Sequence, residues 1–276
     1  QVDRAAAFDR AVAVTPGIDR FCSSAAWVVA AHHALMGERE PWIGTVDDGW
    51  IALARAQRPG GRYLEPLELA WGLACPLIGP DPAVVVEGLV AGLATDAAWD
   101  LALLAGITTG GAHHRALRAA LRPGWRIGVG PTTERFVASL DGGVDGFLAR
   151  RSRNFRKAIR ADVRTAAAAG LVFAPVEVTP ATADACLARV IAIEARSWKG
   201  QAGVGVDQGP MREFYQHMIA PLAACGRARL LVATVDDRDV AFIFGGVFAG
   251  EYRGLQFSHD VAYRHIGLGN VAQLDH

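Results

Sequence analysis

Residues 251–270, EYRGLQFSHDVAYRHIGLGN, constrain this chain more than any other stretch. They read as a strand, a short loop and the start of a helix. The loop, Arg264 to Gly269, has the pattern R-x-x-G-x-G. Glycine has no Cβ, so Gly267 and Gly269 allow a sharp turn with exposed N–H groups. Those N–H groups and the positive end of the following helix make an anion site. The loop has neither the Lys-Ser/Thr of a Walker A sequence nor G-x-G-x-x-G spacing. A pyrophosphate held by backbone alone is the chemistry it predicts. The alternative is a glycine-rich turn with no ligand.

With 276 residues, 51% of them hydrophobic, the chain can build one large or two medium cores. Lys plus Arg equals Asp plus Glu at 28 each, so only local patches could favour nucleic acid. Cys22, Cys75, Cys186 and Cys225 are far apart and form no C-x-x-C pair. Reduced, buried thiols in a cytoplasmic protein are expected. No apolar window is long enough for a membrane span. The first residues have neither a signal core nor a starting Met, so either residues are missing before Gln1 or the chain was trimmed there. His32–His33 and His113–His114 are adjacent pairs on predicted helices, pointing about 100° apart. No shared metal is expected there; surface or packing roles are.

Residues 1–20 read as an extended or frayed segment, and 24–36 as a helix. Residues 42–57 predict a hairpin over Asp47-Asp48-Gly49. Further strands are expected in 65–77, and Asp81-Pro82 opens a helix running to about Thr95. Residues 99–104 predict a short buried strand, 111–121 a helix with solvated histidines, and 125–129 another strand. Residues 140–170 predict one long amphipathic helix with Phe147, Leu148, Phe155, Ile159 and Val163 on its apolar face. Seven basic residues between Arg150 and Arg164 cover the rest of it. That face is either solvated and salt-bridged or meets a phosphate-rich ligand. A strand at 171–178, helices at 180–198 and 210–225, a hairpin over Asp236-Asp237 and the strand at 251–260 complete the order.

WIGTVDDGWIALA at 42–54 parallels LVATVDDRDVAFIFG at 231–245. A further strand, a loop and a helix come after each. In the first half the loop is PLIGP, whose prolines remove N–H donors, so it should bind phosphate poorly. The expectation is an α/β (α+β) protein of two similar domains, 1–138 and 139–276. Each has a mixed, mostly antiparallel sheet flanked by helices.

The R-x-x-G-x-G loop between strand and helix resembles the acyl-CoA loop of the GNAT acyltransferase superfamily. Residues 152–173 resemble the S-x-x-x-R-x-x-L-R-R…G opening of its FemAB-like, cellulose-biosynthesis (CelD-like) branch. Glu194-Ala195-Arg196-Ser197-Trp198-Lys199-Gly200, with Gly203 after it, resembles that branch's E-x-x-S-W-K-G-x-x-G segment. The resemblance covers residues 139–276 well and the first half only by layout. It implies tandem GNAT-like domains with acetyl-CoA or another acyl-CoA at the second, the first being degenerate. The family continues past the helix after the glycine loop with another strand, whereas this sequence ends at His276, inside that helix.

The resemblance implies direct transfer, in which an amine attacks the thioester. Such a site positions both reactants, polarises the carbonyl and accepts a proton. Phe257, Ser258, Arg264, His265, Ile266, Gly267, Leu268, Gly269 and Asn270 are the expected cofactor contacts. Along the strand, Leu255, Phe257 and His259 share one face, and Gln256, Ser258 and Asp260 the other. Asp260 is then a proton acceptor or ammonium anchor, or else a cap before the loop. His259 has the better intrinsic pKa for a base but lies on the opposite face. Glu194 is a further carboxylate base, or a surface helix residue. Tyr263 could protonate the leaving thiolate or pack. Trp198 is a substrate platform or a core aromatic. Lys199 either neutralises an anion or stays exposed, and Gln256 is a third substrate contact.

The first reading is an acyl-CoA-dependent N-acyltransferase acting on a small amine or amino sugar. The second is a Fem-like transferase using aminoacyl-tRNA, served by the basic helix. The third is a non-catalytic binding module in polysaccharide assembly.

Overall fold

The structure, a computed structural model, describes residues 2–96, 98–121 and 125–275. The first elements are α1 (Val2–Val14), α2 (Arg20–Ser23), α3 (Ala25–Met36), β1 (Glu40–Val46), β2 (Gly49–Arg58), β3 (Gly61–Pro66), β4 (Leu77–Ile78), α4 (Pro82–Thr95), β5 (Leu101–Ala102) and α5 (Ala112–Ala120). After them come α6 (Gly143–Ala149), α7 (Arg153–Ala168), β6 (Val172–Val176), α8 (Ala183–Glu194), α9 (Trp198–Gln201), α10 (Gly209–Ala224), β7 (Ala228–Val235), β8 (Arg238–Phe248), β9 (Glu251–His259), a 3-10 turn (Val261–Ile266) and α11 (Leu268–Asp275).

These elements form two compact units that interleave in sequence. The first comprises Gln1–Ile127, Gly209–Arg227 and Val247–Arg253; the second comprises Gly128–Gln208, Ala228–Gly246 and Gly254–His276. Each is a mixed α/β unit. α10 therefore joins the first unit, although it lies beyond the expected division at residues 138 and 139.

In the first unit the strand order is β1-β2-β3-β5, with β4 on β2. All these pairs are antiparallel except β3–β5. β1 and β2 form the expected hairpin, in which Asp47 takes a positive φ of 47°. Most of the first twenty residues, Val2–Val14, are helical rather than extended: Phe8, Ala11 and Val12, spaced for one helix face, are buried. The Asp9 carboxylate on α1 accepts the Ala25 N–H at 2.8 Å and pairs with Arg227. Between β3 and β4 the expected strand gives way to a loop. The buried Glu68 carboxylate accepts N–H groups from Trp71, Gly72, Leu73 and Ala74, which gives this backbone partners without a strand. β5 is two residues long with Leu101 44% exposed, so it is not the buried strand expected. Residues 125–129 form no strand. His113 is buried rather than solvated.

α4 starts as its sequence dictates. The Asp81 side chain accepts the Ala83 N–H at 2.9 Å, and Pro82 occupies the first turn. Gly79 before it donates to Thr15 Oγ1 at 2.9 Å. The Gly79 N–H of this loop thus already has an internal partner. α10 packs on α3 through Trp27 and Phe214, whose rings meet edge to face at 5.1 Å.

The second unit carries a four-stranded sheet ordered β6-β7-β8-β9. β6–β7 and β7–β8 are antiparallel, with a bulge at Ala233/Thr234. The β7–β8 turn places Asp236 and Asp237 at φ 49° and 59°, left-handed values that aspartate tolerates. Phe242 and Phe244 on β8 are each 1% exposed, and burying each contributes about 2–3 kcal/mol. On one face Ala166 of α7 meets Ala233, Val240, Ile266, Leu268 and Val271. The single helix expected over 140–170 is two, α6 and α7. The break falls where Ser152 N-caps α7, its Oγ accepting the Phe155 N–H at 3.2 Å. Gly170 ends this segment at φ 69°.

Candidate active site

β9 ends at a carboxylate that shapes the turn after it. Asp260 is 4% exposed, and its Oδ1 accepts the Ala262 N–H at 3.0 Å, capping the 3-10 turn. Arg196 Nε and Arg238 donate to its Oδ2 at 2.9 and 2.8 Å. Burial would raise its pKa, but the Ala262 N–H and the two guanidiniums outweigh that and hold it below the ordinary carboxylate value. The geometry gives Asp260 the capping role weighed for it in the sequence.

The glycine loop has the predicted shape. Gly267 is left-handed at φ 72°, ψ 29°, and α11 begins at Leu268. The first turn of a helix leaves its N–H groups without intrahelical acceptors, here those of Leu268 and Gly269. Among the expected contacts, Ile266 and Leu268 bury their side chains in the core and can offer only backbone. Arg264, His265 and Asn270 are exposed. A Cβ built on Gly269 would lie 3.4 Å from the Phe257 ring, so strand and loop are in contact. A Cβ on Gly267 would lie 3.0 Å from both Asp162 oxygens. Asp162, on α7, sets a carboxylate against the glycine loop, and sequence reasoning missed it.

The E-x-x-S-W-K-G segment is a corner. Ser197 is fully buried, and its Oγ accepts the Lys199 and Gly200 N–H groups at 3.2 Å each, starting α9. A Cβ on Gly200 would lie 2.8 Å from Ala195 Cα, so only glycine lets α9 fold this closely onto the end of α8. The corner turns Lys199 inward, and its Nζ donates to the Phe257 carbonyl at 2.8 Å. Burial lowers the Lys199 pKa, and Glu194 opposes that shift. Lys199 is therefore half-buried rather than exposed. Trp198, 60% exposed, is free for a platform role.

Glu194 is not a surface residue: it is 0% exposed. Its Oε1 accepts Gln256 Nε2 at 2.9 Å and the Val206 N–H at 3.2 Å. Its Oε2 has no hydrogen-bond partner among the described residues. Asp207 Oδ1 is likewise buried without a partner among them. Gly205 lies between the two carboxylates. A Cβ there would meet Asp207 Oδ1 and lie 3.0 Å from Glu194 Oε1. Nothing in the sequence beyond the glycines of G-V-G-V-D at 203–207 signalled Gly205 or Asp207.

The strand alternation is as expected. Gln256 and Asp260 meet Glu194 at the end of α8 and Arg196 just after it, and Ser258 is 3% exposed with its Oγ donating to the Phe257 carbonyl. The rings of Phe257 and His259 lie 5.7 Å apart, tilted by 37°, on the other face. Burial lowers the His259 pKa, with neighbouring Asp260 pulling the other way. Tyr263 packs against the core cluster around Ile266. On α7, Arg153, Lys157, Arg160 and Arg164 are exposed, and no salt bridge engages them among the described residues. The thiol of Cys75 is fully buried, which pushes its pKa up to about 12 and makes it no nucleophile.

Residues 153–276 match a family model described as an acetyltransferase (GNAT) domain. A search of curated proteins finds no match. Among solved structures, a conserved protein of unknown function from Bacteroides thetaiotaomicron VPI-5482 aligns with a TM-score of 0.58 at 17% identity, covering 98% of this chain and 84% of that one. FemX aligns with a TM-score of 0.63 at 10% identity, covering 98% of this chain and 83% of its own. At these identities the two structures speak for the fold.

Proposed function

Residues 153–276 are a GNAT acetyltransferase domain, in a chain that shares its fold with FemX, and from this premise we propose an acyl-CoA-dependent N-acyltransferase. Its acceptor in this reading is the amine of a small molecule or amino sugar. One observation carries the proposal: β9 leads through a capped turn into left-handed Gly267 and the open N-terminus of α11. A pyrophosphate needs that combination of N–H donors and close backbone approach. Bound there, acyl-CoA would supply an activated thioester carbonyl.

The chain's own residues do the rest. Leu268 and Gly269 offer N–H groups to phosphate oxygens. Phe257 links the two sides of the site, its ring against Gly269 and its carbonyl held by Lys199. Glu194, buried and one oxygen short of partners, is the proton acceptor for the attacking amine. Asp260, tied to two arginines, holds the loop in position. In this reading residues 1–138 form a degenerate domain whose α4 N-terminus is capped from within, and the protein works in the cytoplasm. No helix among the described residues is long and apolar enough to cross a membrane.

Calorimetry with acetyl-CoA tests the proposal on the protein and on Gly269→Asp. Micromolar binding abolished by the substitution supports it. A second reading, transfer from aminoacyl-tRNA, is favoured by the exposed Arg153, Lys157, Arg160 and Arg164 of α7, which no salt bridge engages among the described residues. Absent acetyl-CoA binding together with salt-sensitive tRNA binding, lost in an Arg160→Glu/Arg164→Glu variant, would replace the first reading by the second.

A further inference from the structure

α7 carries a row of cations that the rest of the fold does not use. Arg153, Lys157, Arg160 and Arg164 follow one another at steps of four, three and four residues, which places them on one face of the helix. At 1.5 Å per residue the row is about 16 Å long. Ile159 and Ala166 are buried on the far side of α7. All four cations are exposed, and no salt bridge engages them among the described residues. The acidic residue of α7, Asp162, lies against Gly267 instead. Like charges three and four residues apart destabilise a helix, so the row works against its own helix until an anionic surface meets it. The whole chain balances 28 cations against 28 anions, so this concentration is local.

Exposed apolar side chains precede the row. Phe136 is 89% exposed and Val137 86%, and Leu140 and Val144 are exposed too. Local contacts tie this stretch to the start of α7. The Arg150 guanidinium donates to the Ser139 and Asp141 carbonyls at 2.7 and 3.1 Å, on either side of Leu140. α6, which carries Val144, packs on α7 through Phe147 and Phe155, whose rings meet edge to face at 6.3 Å. Arg156 donates to the Arg151 carbonyl at 2.8 Å and closes the corner between the two helices. Apolar side chains left in water in one short stretch mark an interaction surface.

We propose that residues 136–164 form a membrane-docking surface, on which the cation row of α7 meets the headgroups of an anionic bilayer while Phe136, Val137 and Leu140 enter its interface. The proposal is independent of the acyl-transfer reading. Binding to a bilayer surface grows with anionic attraction and with buried apolar area, and this stretch supplies both. A nucleic acid fits less well. Proteins hold unpaired bases by stacking them on aromatic side chains. The exposed neighbours of the row on α7 include Ala161, Ala167 and Ala168 and no ring. Val137, Leu140 and Val144 gain from acyl chains and not from a phosphate backbone. Asp141 and Asp145 are exposed beside the apolar side chains and oppose the headgroups, so docking needs the cation row as well.

The test uses the whole chain and co-sedimentation with vesicles of phosphatidylcholine, either alone or mixed with phosphatidylglycerol. Binding to the anionic vesicles should exceed binding to the neutral ones at least about tenfold and fall as salt rises. Arg160→Ala/Arg164→Ala should weaken it at least about tenfold, since each cation near such a surface contributes about fivefold. Phe136→Ser/Val137→Ser keeps every charge and should weaken it several-fold. All four side chains are exposed, so both variants should melt at the temperature of the unsubstituted protein. Equal binding to the two kinds of vesicle, or binding to neither, would overturn the proposal. So would binding to anionic vesicles that is indifferent to either double substitution. Binding of tRNA that is lost in Arg160→Ala/Arg164→Ala, by a protein that leaves anionic vesicles alone, would overturn it too and assign the row to nucleic acid.

Discussion

Lys199 Nζ donates to the carbonyl oxygen of Phe257 at 2.8 Å, the same oxygen that accepts the Ser258 hydroxyl at 2.7 Å. One half-buried ammonium thereby ties α9 to β9, beside the strand that leads to the glycine loop. Lys199→Met keeps the length of the side chain and removes the donor. The Phe257 carbonyl retains Ser258, so the expected loss is that of one charged hydrogen bond, about 1–3 kcal/mol. Urea unfolding should show it as a lower midpoint at unchanged m-value; an unchanged midpoint would mean that the contact adds nothing.

Asp260→Asn removes the partner of Arg196 and Arg238 and weakens the cap on Ala262. Arg196 still donates to the Ala192 and Asp239 carbonyls, which limits the damage. Because the folded-state pKa of Asp260 is depressed, its contribution is complete above the unfolded value of about 4 and disappears as pH falls through the folded value. The substituted protein should therefore lose about 1–3 kcal/mol near neutral pH and show a shallower loss of stability below about pH 4. Parallel pH–stability curves for the two proteins would contradict this.

His259 works with the opposite pH sense. Its folded pKa lies below 6.5 because burial disfavours the imidazolium. Between the folded and unfolded values the unfolded chain binds more protons, so stability rises with pH across that window and levels off above it. His259→Gln should flatten the rise just below pH 6.5 without changing the slope elsewhere. Thermal melts at closely spaced pH values from about 5 to 7 would show it.

Gly267 is doubly constrained, by its left-handed φ of 72° and by Asp162. Gly267→Ala should cost about 1–3 kcal/mol, and less in an Asp162→Ala background, where the space is free. A double-mutant cycle by denaturation measures the coupling. Asp162→Asn alone removes a negative charge from the anion loop, so acetyl-CoA should bind several-fold more tightly, by about 1 kcal/mol or less. Weaker binding would mean that Asp162 orients the loop instead of opposing the anion.

Local sequence sufficed wherever near neighbours govern the outcome. The Asp81-Pro82 start of α4, the Asp-Asp hairpins, the alternation along β9 and left-handed Gly267 come from backbone sterics and capping, which a few consecutive residues encode. E-x-x-S-W-K-G was legible only through its family resemblance; that Ser197 and Gly200 shape a corner came from the structure. Which charges are spent and which are free was settled by packing between distant segments. Asp260 and Glu194 are both carboxylates at element ends, and nothing in their neighbouring residues ranks them. Folding set Asp260 between Arg196 and Arg238, from separate elements, and buried Glu194 with one oxygen unpaired among the described residues. Asp162 and Asp207 lie in stretches with no signal of their own and matter only through what long-range packing sets against Gly267 and Gly205. The Asp9–Ala25 contact likewise depends on how α1 folds back on α3, so the periodicity of residues 1–20 was too weak alone to declare a helix. Ionisation and burial are properties of a surrounding that the chain creates only when distant segments meet, so the elements can be read along the chain and the chemistry cannot.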